Sequence, residues 1–131
     1  MAEDVITLVL PRERDFHPVA HLVLGGLAAR HDLTYESLDD LQLAVSGLLE
    51  RDDGEQDVVV RVSVGGGAIE AVIGPFEGDA LRGELEEEDD GVGIGLRRLL
   101  DTVVDSVEVQ EDPDGLLVKL VKRVDVPNAE S

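Results

Sequence analysis

Several groups of residues in this chain have types and spacings that chemistry could use. Gly91, Gly93 and Gly95 lead into an apolar helical repeat that includes Leu96. Bare amides at a helix N-terminus suit an anion such as a phosphate, although the same glycines also serve tight turns and close packing of helix on sheet. His17 and His21 lie four apart, the spacing of a two-histidine metal pair. Pro18 lies between them and no third ligand is identifiable, so a surface or partly buried pair is expected and no metal site. Glu84, Glu86, Glu87, Glu88, Asp89 and Asp90 form an acidic run that reads either as a solvated segment or as a docking surface for a basic partner. Asp39-Asp40 and Asp52-Asp53 are adjacent pairs, which read as a helix entry and a loop, and His31 follows a helix end, where an imidazolium suits the dipole. The chain has neither a Gly-x-Ser-x-Gly elbow nor a Gly-x-x-x-x-Gly-Lys phosphate loop.

The background to these residues is an acidic chain of 131 residues, with 30 Asp+Glu against 11 Lys+Arg and a formal charge of −19. With 43% apolar residues it is long enough for one domain with a real core. Phe16, Tyr35 and Phe76 are its only aromatic residues. Phosphates are repelled by such a field and find almost nothing to stack on, which argues against nucleic acid and anionic membranes as direct partners. A basic protein partner fits the charge. Cysteine is absent, so disulfides, thiolate metal sites and cysteine nucleophiles are excluded together. The N-terminus lacks the basic flank of a signal peptide and no apolar run reaches membrane-spanning length, so a cytoplasmic protein is expected.

The elements that must position these residues follow from periodicity. Val5 to Leu10 is a β-branched run closed by Pro11, a first strand. Phe16 to Arg30 predicts a helix with Val19, Leu22, Val23 and Leu27 inward and Asp15 as its cap. A second helix is expected from Ser37 to Glu50, with Leu38, Leu41, Val45, Leu48 and Leu49 inward. Val58 to Val64 and Ile69 to Ile73 form a hairpin about Gly65-Gly66-Gly67. A long loop is expected from Gly74 to Gly91, then a third helix from Gly93 to Val104 and a last hairpin, Ser106 to Gln110 with Leu116 to Lys122. The order β-α-α-β-β-α-β-β predicts an α/β (α+β) two-layer sandwich, a single mixed sheet covered on one face by three helices. Residues 1–124 would form the domain and 125–131 a frayed, flexible tail.

Two segments carry a resemblance. Leu38-Asp39-Asp40-Leu41-Gln42-Leu43-Ala44-Val45-Ser46, together with Gly91-Val92-Gly93-Ile94-Gly95-Leu96, resembles the anti-sigma factor serine kinases. These are small members of the GHKL superfamily, the histidine-kinase-like ATPases with the Bergerat-type fold. The likeness runs from Ile6 to Val124 and implies a protein that sequesters a sigma factor, is displaced by an anti-anti-sigma (STAS) protein, and phosphorylates that antagonist with Mg-ATP. Family members often dimerise, so the resemblance leaves a homodimer open, and the sequence has no clear apolar outer stripe that decides it.

The resemblance also implies where the chemistry should sit. After Ala44-Val45-Ser46 the family places a glutamate that activates the attacking hydroxyl and, four residues on, an asparagine that holds Mg²⁺; here these positions are Gly47 and Arg51. Glycine has no side chain and a guanidinium repels the metal. The aspartate that binds the adenine amino group aligns with Gly74, and the two following glycines align with Phe76 and Gly78. Gly78, Gly91, Gly93, Gly95 and Leu96 remain as equivalents of a nucleotide pocket, facing an acidic lid that opposes a triphosphate. The expectation is a degenerate relative, a pseudokinase acting by protein contact without a cofactor. The alternative is an active serine kinase that uses ATP and Mg²⁺, with Glu50, Asp52 or Asp79 supplying the missing groups.

Overall fold

The computed structural model describes residues 4–11, 13–31, 33–50, 57–76 and 96–123. Strand β1 (Asp4–Leu10) leads through a 3-10 turn at Arg14–Phe16 into helix α1 (His17–Arg30), followed by α2 (Tyr35–Glu50). Strands β2 (Val58–Gly65) and β3 (Ala68–Phe76), helix α3 (Leu96–Val103), and strands β4 (Ser106–Asp112) and β5 (Gly115–Arg123) complete the described elements. The expected element order and two-layer architecture are present.

The five strands form one sheet in the order β1-β2-β3-β5-β4. Every pairing is antiparallel, where the sequence led to a mixed sheet. The cause lies in the connections. Two helices between β1 and β2 carry the chain out and back, so β2 returns beside β1 in the opposite sense. Strands β3 and β4 point the same way, but β5 inserts between them and opposes both.

Alternation sets the layers. Val58, Val60, Val62 and Val64 of β2, Ile69, Ala71 and Ile73 of β3, and Leu116, Val118 and Leu120 of β5 are buried under the helices. Leu41, Ala44, Val45, Leu48 and Leu49 of α2 meet them with Leu96, Leu100 and Val103 of α3. The expected inward stripe of α2 therefore holds, with Leu38 partly buried at the edge. Helix α1 is turned differently from expectation: Ala20, Leu24, Leu27 and Ala28 are inward, and Leu22 is 75% exposed.

Several boundaries also move. Asp15 does not cap α1, whose N-cap is Phe16 without a side-chain bond. Helix α2 starts at Tyr35, before Ser37, because Thr34 caps it: the Ser37 amide donates to Thr34 Oγ1 at 3.1 Å. Residues 74–76, expected in a loop, continue β3 across an irregularity in its pairing with β5. The remainder of the expected loop, the start of the third helix and the tail lie outside the described residues. No described helix is long and apolar enough to cross a membrane.

Candidate functional site

Helix α2 carries the first of the two diagnostic segments, and its neighbours show what that segment does. Asp40 Oδ2 accepts from Lys122 Nζ at 2.9 Å, tying α2 to β5 across the layers. Asp39 and Asp40 therefore do not cap the helix; they lie one turn inside it. His21 Nε2 and Ser46 Oγ share a hydrogen bond of 2.7 Å, and Gln42 Nε2 donates to the His21 carbonyl at 3.1 Å, so α1 and α2 are stitched by polar contacts. Among the described residues no group of three or more His, Asp or Glu is placed to hold a metal. His17 and His21 thus gain no further ligand there.

Gly47 follows Ser46 and faces α3. A Cβ at this position would lie 3.2 Å from Leu99 Cδ2 and 3.5 Å from Leu96 Cδ1. The space into which a residue-47 side chain would grow is held by two leucines. Leu96, named from sequence as part of a nucleotide pocket, is 1% exposed and belongs to the core.

At Gly74 the crowding is more severe. Its φ is +155°, and a Cβ would sit 2.6 Å from the Leu116 carbonyl oxygen and 3.2 Å from Leu117 Cα. No L-residue fits there without moving the β5 backbone. Gly115 closes the same contact from the other side, where a Cβ would lie 2.5 Å from the Phe76 carbonyl oxygen. Phe76, aligned from sequence with a bare-backbone glycine, instead buries its ring in the core with 1% exposure.

Arg51, Gly78, Gly91, Gly93, Gly95 and the acidic run of residues 84–90 lie outside the described residues. Of the positions aligned with the family's nucleotide site, then, the structure locates Gly47, Gly74, Phe76 and Leu96, and each lies against packed neighbours. Leu99 was absent from the site expectations. Its place opposite Gly47 could have been found by pairing the one glycine on α2 with the apolar stripe of the third helix.

Electrostatics away from this region is local. His31 Nε2 lies 2.8 Å from Asp4 Oδ2, and Arg30 Nε donates to the same oxygen at 2.5 Å, joining the end of α1 to the start of β1. The bonds from Arg30 and then His31 hold the Asp4 carboxyl below the usual carboxylate value. On the sheet face opposite the helices, Lys119 Nζ lies 3.0 Å from Glu70 Oε1 and 3.9 Å from Glu108 Oε2, and these partners, Glu70 first, raise its ammonium pKa.

Comparison with known proteins gives one consistent signal. The chain is 31% identical over 150 residues to the serine-protein kinase RsbW of Listeria monocytogenes serotype 4a, covering 97% of this chain and 92% of the relative. It is 27% identical over 139 residues to RsbW of Bacillus subtilis, covering 91% and 85%. No family model matches. Among solved structures, the RsbU and RsbW domains of a Mycobacterium tuberculosis protein superimpose with a TM-score of 0.69 at 15% identity, a likeness of fold. That match covers 92% of this chain and 32% of the larger one.

Proposed function

The chain belongs to the RsbW family of anti-sigma factor serine kinases, and from that premise we propose a regulator of transcription that works by protein contact and has lost the kinase chemistry. Its partners are a sigma factor and an anti-anti-sigma (STAS) protein, and its setting is the cytoplasm. Residues 1–124 act as the histidine-kinase-like domain and 125–131 as its tail.

One observation carries this reading: the position aligned with the adenine-binding aspartate is Gly74, where β5 leaves no room for any side chain. Gly47 supports it, since no carboxylate stands where the attacking hydroxyl needs a base, and Leu96 and Leu99 close the space beside it. At these two positions the described residues do not fit Mg-ATP: they offer no base for the attacking hydroxyl and no acceptor for the adenine amino group. An acidic chain with −19 formal charge is suited to the basic surfaces of a DNA-binding partner.

Kinase activity is the second reading, favoured by relatives 27% and 31% identical that carry the name serine-protein kinase. Thermal unfolding with and without millimolar ATP, each with and without Mg²⁺, separates the two. A ligand at about a hundred times its dissociation constant adds roughly 2.7 kcal/mol, several degrees for a domain of this size. Loss of the chemistry predicts no Mg²⁺-dependent shift and no transfer of labelled phosphate to a serine-bearing STAS protein. A clear shift with transfer would establish the kinase.

A further inference from the structure

The helix layer carries a surface that the core does not use. Between the C-terminal half of α1 and the start of α2 lies a groove of about 330 Å³, lined by Gly25, Ala28 and Ala29 of α1, by Leu33 and Thr34 of the connection, and by Tyr35 and Leu38 of α2. Tyr35 is 85% exposed, and beyond the groove Leu22 on α1 and Leu43 on α2 are 75% and 51% exposed. A Cβ added to Gly25 or Gly26 would meet nothing within 4 Å, so at these two positions the surface of α1 is open.

Charge divides this surface into two banks. Pro18, Leu22, Gly26 and Ala29, the exposed positions of α1 up to its last residue, are uncharged. The exposed positions of α2 include Glu36, Asp39 and Glu50, and none of the three is ion-paired among the described residues. Helical spacing places Asp39, Leu43 and Glu50 on one side of α2, with Tyr35 and Glu36 at its edges. An apolar channel thus runs beside a row of carboxylates that have no ion-pair partner among the described residues.

We propose that the outer face of α1 and α2 is a docking site for an amphipathic helix of a partner protein. That helix would set a narrow apolar ridge into the groove and a row of Lys or Arg against Glu36, Asp39 and Glu50. The small residues of α1 let the incoming backbone approach closely, and the carboxylates supply charge complementarity. A second copy of this chain fits poorly, because its own α2 would set carboxylates against carboxylates. The inference rests on the reading of the protein as a regulator that works by contact, and it names the surface that does so.

The probe is a synthetic amphipathic peptide of about five helical turns, with leucines at three- and four-residue spacing flanked by lysines. A control keeps the lysines and replaces the leucines with serine. Titrations at physiological salt should show the leucine peptide binding at least about tenfold tighter than the control. The double variant Leu22→Glu/Leu43→Glu should abolish that difference, whereas Val9→Glu, on the uncovered sheet face, should preserve it. In the unaltered protein, amide chemical shifts perturbed by the peptide should cluster between residues 18 and 43, a readout that does not depend on any variant folding. Equal affinities of the two peptides, a difference that survives the double variant, or shifts clustered on the sheet would each overturn the proposal. Self-association of the protein that disappears in the double variant would assign the face to a second copy and also overturn it. Phosphotransfer is not part of the readout, so this surface and the loss of kinase chemistry stand or fall separately.

Discussion

Replacing each of two glycines at family site positions by alanine should have opposite results, and the structure supplies the magnitudes. At Gly74 a methyl group meets the Leu116 carbonyl oxygen at 2.6 Å and Leu117 Cα at 3.2 Å, both parts of a β5 backbone held by hydrogen bonds on two sides. Backbone strain at a positive φ costs roughly 1–3 kcal/mol, and forcing atoms into a packed core costs roughly 1–3 kcal/mol more. Gly74→Ala should therefore lose about 4 kcal/mol, a large part of a typical domain's stability. At Gly47 the nearest atom is the terminal Leu99 Cδ2 at 3.2 Å, on a half-buried side chain that can yield by a few tenths of an ångström. Removing a glycine from a helix interior returns up to about 1 kcal/mol. Gly47→Ala should be neutral or mildly stabilising. Urea unfolding followed by circular dichroism, with m-values compared to confirm two-state behaviour, measures both. A loss at Gly74 below about 1 kcal/mol, or similar losses at both positions, would refute the packing argument. Since aspartate contains the same Cβ, Gly74→Asp should cost at least as much as Gly74→Ala.

Three further outcomes are expected. Gly26→Ala, with nothing near the added methyl, should raise stability by about 0.5–1 kcal/mol in the same unfolding assay. Thr34→Ala removes the cap that accepts from the Ser37 amide and should lose about 1 kcal/mol, with Thr34→Asp restoring most of it. Asp4 has a carboxyl pKa lowered by Arg30 and His31, so its contribution is present above the ordinary carboxylate range and is lost as pH falls through the lower folded value. Unfolding midpoints of the unaltered protein and Asp4→Asn should therefore differ at neutral pH and converge as the solution is made more acidic.

Strand positions were legible because Val58, Val60, Val62 and Val64 alternate with side chains of the other face, a two-residue period that only a half-buried strand explains. Helix α2 was legible for the same kind of reason, with a single apolar stripe between polar ones. Helix α1 was not: Leu22, Val23, Leu24 and Leu27 surround the axis, so periodicity alone cannot say which side turns inward. Its core side is decided by contact with α2 and the sheet. Residues 74–76 read as loop because glycine and proline usually punctuate strands, whereas in the fold they mark a close approach of β3 to β5. Vacancy at Gly47 and Gly74 could be read from the chain, since it is a matter of residue type. What fills the vacancy could not, because Leu99 and the Leu116 carbonyl arrive from remote segments.

The insertion of β5 between β3 and β4 has a consequence for synthesis. As the chain emerges from the ribosome, β1, β2 and β3 can pair in turn, but the outer edge of β3 stays open from Phe76 until the segment beginning at Gly115 arrives. An open edge is a template for pairing with other nascent chains. The five-stranded sheet becomes continuous only when β5, made after β4, fills the position between β3 and β4. Premature termination before Gly115 would thus leave an adhesive fragment, which cellular proteolysis must remove before it recruits its neighbours.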